Sequence, residues 1–559
     1  MTATTVDFDA DLLAQCEQIW ALTLHHEKQE QLARTIDPLV RLWDGEMRLQ
    51  HLVTSEYGVT AEINDTDSGV IEVKHPYDHP VGQWLYDEYG RLQRGEKRNV
   101  NITIDYAESR IAGLLESVEL EADENGEQTV TASFLTDFER LKWYTVWANP
   151  FLPEWIQFPR AFLLAGPATW VAALTLQLQI MREQGSGWTL PSDPMDPAQR
   201  GGLNQGTWSL AVKPISFTDA MASGVLWCVV GSRFKNYVDL MKASWEDAEI
   251  SPRVHCYLDG DPEPWPGANL RHGTRWVEFV DQSGRYTGTS HGGTIWDGLL
   301  RTITEFFGGF FEYSDELTGD STIPPEYYQP GQKRTNKILP FCVWRDTDES
   351  GLTGYKSKTT PSKAVQIVTG GHSMPFVNEM ISAAIQMAGD LIAMMIGVPP
   401  IGGAEDAILQ PLYTDTILAW MVARLPQRAQ QAGWTRYFEF FQEGSGKAYT
   451  ISALVVLRAG IWATRSFAAS TFSVGDAAPF LIGEKGHIWL GDRGGYTIRG
   501  DRTGRIYMDR IRKLGLSWDP DTPPDWKPTF GDEKAMLDPV AKAWDQIHAI
   551  ADALQQLGV

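Results

Sequence analysis

At 559 residues the chain exceeds what one hydrophobic core usually organises, and about three or four domains are expected. Hydrophobic residues make up 43% and charged residues 21%, with 22 Trp, 18 Tyr and 22 Phe, which excludes wholesale disorder and points to packed domains with extensive contacts. The 48 Lys plus Arg against 72 Asp plus Glu leave a formal charge of -24, which argues against a stable nucleic-acid binder and against adhesion to an anionic membrane.

Residues 7 to 34 place Phe8, Leu12, Cys16, Ile19, Trp20 and Leu24 at helical spacing, so an amphipathic helix is predicted, ending near Asp37 and Pro38. The start MTATTVDFDADLL is acidic where a signal peptide needs a basic region, so synthesis in a cytoplasm is expected, with no exit by that route. From Val40 the period changes to that of strands: VRLWDGEMRLQHLV with a hairpin signal at Asp44-Gly45, YGVTAEIND, and GVIEVKH after the turn Asp67-Ser68-Gly69. A helical insert at Val81 to Arg94 precedes the strands NVNITIDY, SRIAGLLESVELEA and QTVTASFL, the last two joined by Asp123-Glu124-Asn125-Gly126. Helical material is predicted from Asp137 to Arg182, with Phe162, Leu163, Trp170, Leu174, Leu178 and Met181 on one apolar face. A Gly- and Pro-rich loop at 185 to 206 marks a boundary.

Beyond it come a helix near Phe234 to Asp247, strands RVHCYLD and RWVEFVD, the helix-like IWDGLLRTITEFFG and a polar stretch at 314 to 336. Phe376 to Ile401 approaches membrane-spanning length, but Glu379, Asp390, Pro399 and Pro400 make a buried or interface helix the better reading. Ala407 to Phe441 reads as a second long helix carrying Leu412, Ile417, Trp420, Leu425 and Phe438. Strands return in KAYTISALVVLRA, HIWLGDR, GYTIRGD and GRIYMDRIRKLGL, and a final helix from Lys534 to Leu557 carries a heptad-like seam.

The predicted class is α+β and multidomain, with antiparallel β-barrel or sandwich domains in the N- and C-terminal parts and helical insertions between them. The expected divisions are an N-terminal helix (1–37), a β-barrel-like domain (38–150), a helical segment with a Gly/Pro-rich linker (151–205), a mixed α/β middle domain (206–340), a helical region (341–445), a C-terminal β domain (446–530) and a C-terminal amphipathic helix (531–559).

No motif tested for chemistry survives its context, so no catalytic, cofactor-binding or metal residue is assigned and no cofactor is expected. Gly288-Thr289-Ser290-His291-Gly292 matches G-x-S-x-G, but a polar turn separates Ser290 from the strand a nucleophile elbow needs. Asp346, Asp348, Ser350 and Gly351 imitate the start of a calcium loop whose twelfth position is Ser357 instead of a carboxylate. His75 and His79 flank Asp78 at the spacing of a zinc pair, yet Pro76 and Pro80 rule out the helix that would bring the rings to one face. Cys16, Cys228, Cys256 and Cys342 lack paired spacing and read as reduced, buried thiols.

Four stretches carry a resemblance: VRLWDGEMRL through TVTASFLTDFERLKW, VHCYLDGDPEPWPGANLRHGTRWVEFVDQSGRYTGTSHGGTIWDGLLRTI, VQIVTGGHSMPFVNEMISAAI with the segment near Trp420, and VGDAAPFLIGEKGHIWLGDRGGYTIRGDRTGRIYMDRIRKLGLSWD. Together they resemble the Tal-like baseplate hubs of the siphophage tail tip, the minor tail proteins of phages of actinobacteria, over most of residues 38 to 520. The resemblance implies a structural, non-enzymatic virion protein at the tail tip, made in the host bacterial cytoplasm. It would be a homotrimer that closes the tail tube, docks under the distal tail protein ring, contacts the tape measure protein and holds other tail-tip or receptor-binding proteins. Host attachment and genome ejection are its implied tasks, with DNA passing only in transit and the host cell envelope as a further partner. A tail-associated cell-wall hydrolase and a carbohydrate-binding adhesin are the alternatives.

Overall fold

A computed structural model describes residues 11–282 apart from 55, 153, 159–160, 185–205 and 207, and then 316–318, 342–346, 351–370, 420–441, 460–461, 464, 467–475, 480–500 and 505–531. The opening helix α1 (Leu12–Thr35) starts where the Asp11 carboxylate accepts the Ala14 N–H at 2.8 Å. Most of its large apolar residues are exposed, Leu12 at 77% and Trp20 at 65%, and Cys16 is exposed too, against the expectation of a buried thiol.

Seven strands follow: β1 (Leu39–Asp44), β2 (Leu49–Val53), β3 (Gly58–Asn64), β4 (Val70–Pro76), β5 (Val100–Tyr106), β6 (Ser109–Ala122) and β7 (Gln128–Thr136). Helices α2 (Pro80–Tyr86) and α3 (Glu88–Gln93) interrupt them, where one helical insert was expected. Strand β7 shows why the pattern holds. Val130, Ala132 and Phe134 point into the core while the residues between them stay partly exposed, the period-two signature of a sheet with one covered face. The β1–β2 hairpin closes through Asp44, whose carboxylate takes the N–H groups of Glu46 and Arg48.

The next elements are α4 (Glu139–Lys142), β8 (Thr145–Val146), β9 (Phe162–Pro167), α5 (Ala168–Gln184), β10 (Leu210–Val212), α6 (Phe217–Ala222), β11 (Trp227–Ser232), β12 (Lys235–Asn236), α7 (Tyr237–Ala248), β13 (Ile250–Cys256) and β14 (Arg275–Asp281). Phe162 and Leu163 therefore lie on a strand, paired with Ser232 and Gly231 of β11, instead of on the apolar face of a helix. Helix α5 is buried almost all round, packing against β9, β10, β11 and β14 around Trp208, Tyr237 and Trp245.

Later come β15 (Glu316–Thr318), β16 (Val343–Trp344), β17 (Leu352–Thr360), β18 (Ala364–Gly370), β19 (Trp420–Arg424), α8 (Pro426–Ala432), β20 (Tyr437–Phe441), β21 (Phe467–Val474), β22 (Arg493–Tyr496), β23 (Arg505–Trp518) and β24 (Asp525–Phe530). Of the long helix expected from Ala407 to Phe441, residues 407–419 lie outside the described residues, and 420–441 form a strand, a short helix and a strand instead. Pro426 sits at the start of α8, and Trp420 and Phe438 belong to strands flanking it. The stretch HIWLGDR forms turns around a single bridge from Ile482 to Ile488, and the strand begins only at Arg493.

The main sheet runs β17-β21-β24-β23-β3-β4-β7-β6-β5-β1-β2, with β15, β16 and β22 joined at its side. The first and last strands of this path are not paired with each other, so the described strands form an open sheet and not a closed barrel. Strands from both parts of the chain meet at β3 and β23, where Val59 to Asn64 pair antiparallel with Trp518 to Lys513. One apolar core serves them together, including Leu42, Ile71, Phe134, Trp344, Leu514 and Phe530. The fold is thus mostly β-sheet with some helices. The expected helices at 295–308, 376–401 and 534–557 and the strand at 447–459 lie outside the described residues.

Candidate functional site

The sheet has one apolar core and the body from Phe138 to Val277 has another, and where the two meet the contacts are largely ionic. At the end where the chain first passes from the sheet into the second body, Asp137 follows directly on β7 and donates its N–H to Ala112. Its carboxylate accepts Nε of Arg275 at 2.7 Å and Nε of Arg140 at 2.8 Å. Arg275 also donates to Asn101 and to the Gly273 carbonyl, and its side chain is 3% exposed. Burial opposes the charge on Asp137, but the two guanidinium groups hold its pKa below the usual carboxylate value. A small apolar cluster lies at the same end: Trp43, Met47, Ala112, Cys256 and Leu258.

At the far end, β13 and its flanks meet β23 and the loop before β22. Asp65 accepts Arg510 at 2.9 Å, Arg512 at 3.3 Å and the Ser251 hydroxyl at 2.6 Å. Glu249 pairs with Arg493, which also donates to the Gln282 carbonyl at 2.6 Å, and Gln282 donates to Asp492. Burial works against the Glu249 carboxylate, yet Arg493 and Arg510 bring its pKa down to about 2. Arg253 donates to the Leu490 carbonyl. His255 stacks on Trp276 at 4.0 Å and lies 2.8 Å from Glu484 and 3.4 Å from Glu278. Burial alone would lower the His255 pKa, but the two carboxylates raise it to about 9. Such a seam orients two bodies.

The expected motifs fall as follows. Ser290 and its glycine neighbours, and Asp348 with Ser350, lie outside the described residues. Asp346 accepts the Arg499 N–H, and Ser357 sits in β17. His75 and His79 do come together, with ring centroids 4.6 Å apart, although no helix carries them both. His75 is an inward residue of β4 and His79 caps α2, so a strand-to-helix corner achieves what helical spacing could not. Among the described residues no group of three His, Cys, Asp or Glu could hold a metal ion, and no helix is long and apolar enough to cross a membrane. Sequence reading missed the seam entirely, because its partners, such as Glu249 and Arg493, are 244 positions apart and belong to no motif.

Among the described residues, two groups of neighbouring aromatics are exposed. One is the loop after β8, where Trp155 is 78% and Phe158 77% exposed, with Trp143 at the end of α4 82% exposed. Asn149 and Gln157 brace it by hydrogen bonds to the backbone of Phe151, Phe158, Asn149 and Leu152. The other is the sheet β19-β18-β20 and the turn before β20, with Trp420, Tyr437 and Phe438 exposed on strands and Trp434 exposed in the turn.

Residues 39–532 match the family described as Siphovirus ReqiPepy6 Gp37-like protein. The chain is 32% identical to Minor tail protein Gp28 of Mycobacterium phage L5, over 91% of this chain and 92% of that one. It is 31% identical to Minor tail protein Gp28 of Mycobacterium phage D29, over 91% and 93% of the two chains. Among solved structures it is similar to prophage tail protein gp18 from Listeria monocytogenes EGD-e at 11% identity and a TM-score of 0.38, covering 90% of this chain and 99% of that one.

Proposed function

This chain belongs to the Siphovirus ReqiPepy6 Gp37-like protein family, and on that premise we propose that it is a structural minor tail protein of a siphophage virion, acting as the baseplate hub of the tail tip. The observation that carries this reading is the match to phage minor tail proteins along nearly the whole length of both chains. As a hub it would be a homotrimer closing the tail tube, bound to the distal tail protein ring and the tape measure protein, and holding other tail-tip proteins. The formal charge of -24 suits a passage for DNA, since acidic walls repel phosphate where basic ones would retain it.

Gold-labelled antibody against the protein, viewed on purified virions by electron microscopy, tests the placement. Label at the tail tip is expected. Label along the tube, or none on virions that carry every other tail protein, removes the hub reading.

The braced loop with Trp155 and Phe158 favours attachment to the host envelope as a second task, because flat exposed rings stack on sugar faces. We read the protein as a non-enzyme, and a zymogram on host cell wall checks this: a cleared band from the pure protein would replace the hub by a hydrolase.

A further inference from the structure

The boundary between the sheet and the body formed by α4 to β14 differs from either interior. Each side closes its own apolar core, one around Phe134 and Leu514, the other around Tyr237 and Trp245. Between them, the far end is held by Ser251 with Asp65 and Arg510, by Glu249 with Arg493, and by His255 with Glu484. The apolar part of the boundary is the cluster of Trp43, Met47, Ala112, Cys256 and Leu258, and it lies at the end where the chain passes from β7 into the second body at Asp137.

The two ends differ in one respect: the near end joins the polar contacts of Arg275 with Asp137 and Asn101 and of Arg110 with Asp261 to an apolar cluster, whereas the far-end contacts named above are all polar. Separating apolar faces exposes them to water at a cost of about 25 cal/mol per Å² and invites aggregation. Separating ion pairs returns each charge to hydration, which offsets much of the lost attraction, so a buried pair fixes geometry more than it adds net stability. Interfaces of this polar kind between bodies with separate cores are those at which relative motion is expected.

We propose that the seam is a parting joint: the body between Asp137 and Gln282 swings away from the sheet without unfolding, opening at the Asp65, Glu249 and Arg493 end while the Trp43 and Leu258 end stays in contact. The motion exposes charged faces from β13, β23 and the loop before β22, and leaves both apolar cores intact. This inference stands on the contacts alone and does not depend on where the protein sits in a virion.

Spin labels on the full chain test it. With Cys16→Ser to remove the exposed thiol, labels at Thr60→Cys on β3 and Asp219→Cys on α6 report the distance between the two bodies; both positions are exposed and away from the seam. The unaltered seam is expected to give one narrow distance. Arg253→Gln with Arg493→Gln is expected to add a second, longer distance, while the amide protons of α5 exchange as slowly as before. A single narrow distance in a folded double variant overturns the joint, as does loss of α5 protection together with the seam. Should the double variant fail to fold, urea titration of the labelled chain with its seam intact decides: the longer distance must grow in below the urea concentration at which α5 loses protection. Coincidence of the two events defeats the proposal.

Discussion

His255 ties three elements together, and its surroundings set how the seam responds to pH. From β13 it faces Glu278 on β14, Glu484 in the loop before β22 and the Trp276 ring, with Lys213 bound to Glu278 and Arg253 acting on Glu484. Its pKa is raised from the ordinary 6.5 to about 9, so the folded state holds the proton more tightly than the unfolded chain does. The stabilisation is therefore fully present below pH 6.5 and is lost as pH rises through 9, a loss on the order of 3 kcal/mol. Glu249 works in the opposite direction: its pKa is lowered from 4.5 to about 2, so its contribution is present above pH 4.5 and disappears as pH falls through 2. Urea unfolding followed between pH 6 and 10 should show stability falling with rising pH, and His255→Gln should flatten that slope. An unchanged slope in the variant would detach His255 from the effect. Nothing in the sequence marks this residue, since its two carboxylates come from different elements and one lies far along the chain.

Turns and strands were the most legible elements, because their signals are local. The turn joining β6 and β7 was readable from Asp123-Glu124-Asn125-Gly126, and the Asp123 carboxylate does accept the N–H groups of Asn125 and Glu127. Gly126 has φ of 86° with open space where a Cβ would stand, so its glycine is required by the backbone alone. Gly126→Ala should cost about 1 kcal/mol, whereas Gly354→Ala in β17, with equally open space and no left-handed φ, should be neutral or stabilising by about 0.5 kcal/mol. Thermal unfolding of both variants checks the pair, and equal effects would show that backbone conformation is not the cause. The segment at 420–441 was illegible for a related reason. Spacings of Trp420, Leu425 and Phe438 fit a helix, but Leu425 is held outside the helical region with ψ of 79° before Pro426, and the aromatic run Tyr437 to Phe441 pairs with β18. Helix α1 was found in the sequence, whereas the exposure of its Leu12, Ile19 and Trp20 could not be, since periodicity reports which face is apolar and not what covers it.

Across the whole molecule, the decisive feature is the pairing of β3 with β23, which joins strands from opposite parts of the chain into one sheet. Alternation identified both strands, but period two carries no record of which strand lies beside which, so their union was invisible before the structure. Its consequence can be tested by cutting the chain. A fragment of residues 1–460 keeps β1 to β7 but loses β21, β23 and β24, leaving β3 with a bare edge. It also uncovers Val59, Ala61 and Ile71, which now share a core with Leu514, Leu516 and Phe530. Unpaired edges flanked by apolar side chains recruit other chains, so the fragment should aggregate when expressed alone. Supplying residues 461–559 in the same cell should restore a soluble complex, because β23 brings both the missing hydrogen bonds and the missing half of the core. Size-exclusion chromatography with light scattering separates the outcomes. A monodisperse 1–460 fragment with its sheet intact would mean that the N-terminal strands are self-sufficient, and that β23 decorates an already stable sheet instead of completing it.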